Sequence, residues 1–193
     1  MIERTKQTRR SQRSRLAGIF DRVGAMVTAL VVLVLLFTFL FRNVGVDGDS
    51  MQPTLQHGDR LLLTALVDEY RAGDIVVVDR YTQKPLIKRV IAVAGDSVEI
   101  LSDGTLLVND REQYEPYIQG KTVRRDMLQK ITVPEGCLFI MGDNRTISKD
   151  SRMAEVGCVS VKDVVGKVLV RMWPLPGIGS VYGNLEDNVE DIE

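Results

Sequence analysis

Leu86-Ile87-Lys88-Arg89-Val90-Ile91-Ala92-Val93-Ala94-Gly95-Asp96-Ser97-Val98-Glu99-Ile100-Leu101 carries the clearest structural signal in this 193-residue chain. Two apolar runs, Leu86 to Ala94 and Val98 to Leu101, flank a Gly-Asp pair. β-Branched residues lose side-chain freedom in a helix and pack well on a pleated surface, while Gly and Asp favour turns, so the stretch predicts two short strands. The same pattern extends in both directions. Runs at Val44 to Val46, Leu61 to Thr64, Ile75 to Val78, Leu106 to Val108, Leu138 to Met141 and Val164 to Met172 alternate with turn signals at Gly58-Asp59, Gly73-Asp74 and Gly142-Asp143. Asp103-Gly104 reads as a hairpin turn. The expected fold is mostly β: an all-β domain of many short strands. Residues 97–133 are more polar, with Tyr114, Glu115, Pro116 and the charged stretch Lys121 to Asp126, and are expected to form a small β-subdomain inserted into it.

Upstream, Val23 to Phe41 carries no charge over 19 residues. As a helix this run is about 28 Å long, close to the hydrocarbon thickness of a bilayer, and it predicts a transmembrane anchor at 23–41. A cleaved export leader would have a shorter apolar core and a small-residue cleavage site, whereas this run closes on Phe39, Leu40, Phe41 and Arg42. Residues 1–22 hold seven Lys/Arg against Glu3 and Asp21. By the positive-inside rule they form a cytoplasmic arm, so that 42–185 lies outside the cell membrane on a single-pass chain. The stretch 186–193 has five acids and no base and is expected to be a disordered tail.

Charge excludes one class of function. Of 25 basic residues 18 lie beyond the arm, against 24 of the 26 acidic ones, a net charge of −6. Such a domain is a poor match for nucleic acid, whose phosphates require clustered Lys/Arg. One histidine and two unpaired-spacing cysteines, Cys137 and Cys158, give no zinc ligand set, and no metal or cofactor is implied. The cysteines read either as buried free thiols or as a cross-strand disulfide.

Ser50, in the turn-like Gly48-Asp49-Ser50-Met51, is a candidate nucleophile. A Ser/His/Asp triad fits poorly, because the one histidine, His57, lies in the polar turn Gln56-His57-Gly58-Asp59. A lysine can activate a serine instead if burial lowers its pKa enough to leave a neutral amine. Lys88 is the candidate: Leu86, Lys88 and Val90 share one face of an apolar strand. Read alone, it could equally be an edge-strand charge or a snorkelling side chain.

Three blocks then resemble the type I signal peptidase family: Gly48 to Leu55, Lys88-Arg89-Val90-Ile91 through Gly95-Asp96, and Gly142 to Arg152. The resemblance runs from about Arg42 to Trp173 and is similar to the shorter Gram-positive form, with one anchor. It implies an endopeptidase that removes signal peptides from exported preproteins after small residues of an Ala-x-Ala motif. On these positions it implies Ser50 as nucleophile, Lys88 as general base and Ser148 as a hydroxyl orienting the lysine. Asp150 and Arg152 become a structural ion pair, with Asp143, Asn144 and Arg145 holding their loop. Ser151 and Asp49 receive no chemistry.

Two positions depart from the family pattern. Some members carry a serine where this chain has Gly48, so the oxyanion must rely on backbone N–H groups, chiefly that of Ser50. Met153 to Ser160 lacks the aromatic and proline residues often found there. Strand alternation puts Val44, Val46 and Gly48 on one face, with Met51, Leu55, Leu86 and Ile87 closing around it as the expected pockets. The partners are thus signal peptides and the lipid bilayer. Two other readings are a membrane-anchored, non-catalytic β-domain, against which Ser50 and Lys88 both argue, and a self-cleaving regulator, for which this N-terminus has no DNA-binding domain.

Overall fold

The computed structural model describes residues 20, 22–35, 38, 40–79 and 84–182. The chain divides into two compact units, Met1–Leu40 and Phe41–Glu193. In the first, residues 22–35 are helical and expose their apolar side chains on every side. Thr28 and Thr38 each donate the hydroxyl to the carbonyl four residues back, at 2.9 and 2.8 Å, which satisfies the polar groups of this run internally. Among the described residues no helix is long and apolar enough to cross a membrane. Positions 36, 37 and 39 of the expected anchor, most of the basic arm and the acidic tail lie outside the described residues. The expected anchor also reaches one residue too far. Phe41 opens the first strand, paired with Thr64, and so belongs to the sheet.

The second unit is built on two antiparallel sheets. The larger one takes the order β1-β2-β11-β3-β4-β9-β10, from β1 (Phe41–Gly45), β2 (Arg60–Thr64), β3 (Ile75–Val78), β4 (Leu86–Val93), β9 (Cys137–Met141), β10 (Val159–Ser160) and β11 (Val164–Trp173). The smaller takes the order β7-β6-β5-β8, from β5 (Ser97–Ile100), β6 (Leu106–Val108), β7 (Arg111–Glu112) and β8 (Ile131–Thr132). Its four strands all fall within the stretch read as an inserted subdomain.

The unbroken apolar runs have a physical reason: both faces of the large sheet are covered. In β3, Ile75 and Val77 enter one core with Met51, Leu55, Leu61, Leu63 and Val168, while Val76 and Val78 enter another with Val90, Leu138 and Ile140. In β9 the alternate residues Phe139 and Met141 turn to a third core, shared with Val98, Ile100 and Leu106 of the smaller sheet. β9 therefore stitches the two sheets together. Cys137 and Cys158 are half-buried free thiols against this third core, and burial raises the Cys158 thiol pKa.

Candidate active site

Lys88 lies in the middle of β4, opposite Val76, with 2% of its surface exposed. Its Nζ donates to Ser50 Oγ at 2.7 Å and to the Ile87 carbonyl at 2.8 Å. Burial pushes the amine pKa down to about 8; Asp150 and Asp143 pull it upward and Arg152 adds to the depression. A neutral amine at hydrogen-bond distance from a hydroxyl is what a general base needs. His57 is not placed to compete. It is exposed, and its ring contacts the Gly48 N–H, not the Ser50 hydroxyl.

Ser50 stands in the turn that follows β1. Gly48 has φ 109°, a conformation that favours glycine, and the chain is pinned just beyond by Met51 and Leu55, both fully buried. The Leu55 N–H closes this turn on the Met51 carbonyl at 2.9 Å. From the far side the loop after β9 holds the nucleophile's backbone, the Asn144 N–H donating to the Ser50 carbonyl at 3.0 Å. Gly142 makes that approach possible. A Cβ there would stand 2.5 Å from the Ser50 carbonyl oxygen and 2.3 Å from Ser148 Oγ.

The rest of that loop is a set of buried ion pairs. Asp143 accepts two bonds from Arg89, at 2.9 and 2.7 Å, and one from the Thr54 hydroxyl at 2.5 Å. Arg89 also donates to the Gly73 carbonyl at 3.0 Å and lies 4.0 Å over the Tyr117 ring. Asp150 accepts from both Arg152 Nε and Nη2 at 2.8 Å and from the Gly142 N–H at 3.1 Å. Burial alone pushes the Asp150 carboxyl up, but the Arg152 guanidinium outweighs it and the net shift is downward. Arg145 joins the loop to the smaller sheet's segment through Glu115, Thr122 and the Gly142 carbonyl. Asn144 accepts the Thr146 hydroxyl and, through its carbonyl, the Ser148 N–H. Each buried arginine thus meets a carboxylate, which is the condition for burying it.

Ser148 departs from expectation in one respect. It is buried beside this network, but its hydroxyl makes no hydrogen bond to Lys88, whose bonds go to Ser50 and Ile87. It lies close enough to Asp150 to help hold that carboxyl low, without a bond of ordinary geometry. Ser151 accepts the Ile140 N–H at 2.9 Å and is structural.

The signal peptidase, peptidase S26, family matches this chain over residues 19–173. The chain belongs to that family. It is 37% identical over 161 residues to the signal peptidase I of Bacillus licheniformis, covering 77% of this chain and 86% of the relative. Signal peptidase I P of Bacillus subtilis subsp. natto is 35% identical over 174 residues, covering 84% and 93%. Signal peptidase IB of Staphylococcus aureus (strain COL) is 31% identical over 175 residues, covering 81% and 90%.

In this signal peptidase chain a cleft of about 200 Å³ opens beside Ser50 and Lys88, walled by Val44, Val46, Gly48, Leu86 and Ile87. Met51 and Leu55, expected around the same cleft, are not among its lining residues and lie fully buried in the core that also takes Val46. A larger cavity, about 630 Å³, lies against the smaller sheet near Tyr114 and Lys121, and neither Ser50 nor Lys88 lines it. Chemistry, not size, selects the site. Sequence reading left Arg89, Thr54, Tyr117 and Glu115 without roles. The available signal was Arg89 itself, a second consecutive cation in an apolar strand.

Proposed function

We propose that this chain is a type I signal peptidase that cuts signal peptides from exported preproteins with Ser50 and Lys88. The observation that carries this is the 2.7 Å bond from Lys88 to Ser50, made by an amine that burial brings to a pKa of about 8. In this reading Ser50 Oγ attacks the scissile carbonyl carbon as its proton passes to Lys88 Nζ. The protonated amine then gives that proton to the departing peptide nitrogen, leaving an acyl ester on Ser50. Water attacks the ester, Lys88 takes the water's proton and returns it to Ser50 Oγ, and the signal peptide leaves as a carboxylate. The Ser50 N–H, which makes no hydrogen bond among the described residues, is available to the oxyanion.

The Asp143–Arg89 and Asp150–Arg152 pairs hold the loop that grips Ser50, and Asn144 and Arg145 extend that hold. Ser148 shapes the dry surroundings of the lysine. The aliphatic cleft favours small residues at the first and third positions before the scissile bond, since larger ones overpack it. Residues 23–40 anchor the enzyme in the cell membrane, with 1–22 cytoplasmic and the chain from Phe41 to residue 185 outside, 97–133 being an inserted subdomain and 186–193 a tail. The apolar helical residues and inward-bonded threonines support that reading.

The test is to incubate detergent-solubilised protein with a preprotein and sequence the new N-terminus. Cleavage after Ala-x-Ala, abolished in Ser50→Ala and slowed at least tenfold by Leu at the first position, is expected. Cleavage that survives Ser50→Ala overturns the assignment.

A further inference from the structure

The pairing of β1 with β2 continues past the ends of both strands. Within them Val44 faces Leu61 and Gly45 faces Arg60. Beyond them the Val46 N–H donates to the Asp59 carbonyl at 2.8 Å and the Gly58 N–H to the Val46 carbonyl at 2.9 Å. Val46 thus bonds both Asp59 and Gly58, which shifts the register and leaves His57 in the turn that the Asp59 N–H closes on the Gln56 carbonyl at 3.1 Å. There a side chain supplies the rung: the Gly48 N–H donates to His57 Nδ1 at 3.2 Å. Past that rung the chain leaves the sheet through Gly48 and, two residues on, offers Ser50 to Lys88.

We propose that His57, the one histidine of the chain, is a positioning residue for the reaction: its ring ties down Gly48 and sets the direction in which the turn presents Ser50. The inference rests on Ser50 being the nucleophile. Nδ1 accepts the Gly48 N–H through its lone pair, with the ring proton on Nε2.

Two carboxylates belong to the same turn. Asp47 Oδ1 lies 3.6 Å from Nδ1, and Asp47 is itself joined to Lys84 at 2.5 Å. The other carboxylate of the turn, Asp59, faces away from the ring, accepting from Arg171 at 3.1 Å and from the Gln56 N–H at 3.0 Å. Loss of the His57 side chain leaves the Gly48 N–H without that acceptor. Asp47, Gly48 and Lys84 all line the cleft beside Ser50, so the change falls on the wall against which substrate lies.

Asparagine separates this from a structural role, because its side-chain oxygen reaches nearly the position of Nδ1 and accepts at every pH. The experiment measures kcat and KM for a peptide with Ala at the first and third positions, from about pH 5.5 to about pH 9, for wild type, H57N, H57A, H57F and S50A. At the alkaline end H57A and H57F are expected to lose about three- to tenfold in kcat, the effect of one hydrogen bond, with KM unchanged and H57N restoring most of the loss. The Lys88 titration is common to all four active proteins and cancels in the ratio. Equal activity of H57A and wild type at every pH, a loss confined to KM, or a failure of H57N to restore kcat overturns the proposal. Activity in S50A overturns the reading beneath it instead.

Discussion

Lys88 is a cation by nature in a place that water hardly reaches. Its pKa of about 8, against 10.5 for the free side chain, means that the unfolded chain binds its proton more tightly than the folded one. The stability penalty is complete below pH 8 and fades as the pH rises from there to about 10.5. Sized by about 1.4 kcal/mol per pH unit, it is roughly 3 kcal/mol at neutral pH. Lys88→Met is therefore expected to abolish cleavage while raising neutral-pH stability by about 1 to 3 kcal/mol, and to flatten the rise of stability between pH 8 and 10. Denaturant unfolding at pH 7 and 10 checks this. A Lys88→Met protein less stable than wild type at pH 7 contradicts the account of a desolvated amine. Asp150 has the opposite sign: its depressed carboxyl contributes stability that is present at neutral pH and lost on acidification.

The elements that matter most are a strand end and a loop. β9 delivers Gly142 against the back of the nucleophile turn, where Ser148 Oγ and the Ser50 carbonyl leave no room for a methyl group. Gly142→Ala must push the loop away from Ser50, at an overpacking cost of about 1–3 kcal/mol. Because the Asn144 N–H bond to Ser50 goes with it, cleavage should fall by at least about tenfold, more than the stability loss alone explains. Activity assayed well below the melting temperature separates the two effects. Full activity in Gly142→Ala would show that the loop does not position the nucleophile. The segment from Glu115 to Thr122 is the loop's outer brace, since it supplies Glu115 and Thr122 to Arg145, and Tyr117 to Arg89.

For the molecule as a whole, the asymmetry between a basic N-terminal arm and an acidic body sets the orientation proposed for the membrane. Protease added to cells stripped of their wall is expected to release peptides containing Ser50 and to spare residues 1–22. Protection of the Ser50 peptides in sealed cells contradicts the topology.

The strands were legible in the sequence where they were unbroken apolar runs: β3 and β6 match their runs residue for residue. The two-residue strands β7, β8 and β10 were not, because two residues have no period and their pairing comes from the neighbours they lie beside. The oddity of Lys88 was visible from its apolar flanks, and its partner Ser50 from the resemblance. Sequence by itself determined which apolar runs form strands and which charges demand a burial partner, since those follow from local side-chain chemistry. Only the tertiary structure decided that Arg89 meets Asp143, that Met51 and Leu55 are buried in the core, and that the Gly48 N–H reaches the His57 ring. Each of those depends on which strand lies beside which and in what register, and register is fixed by contacts between residues far apart in the chain.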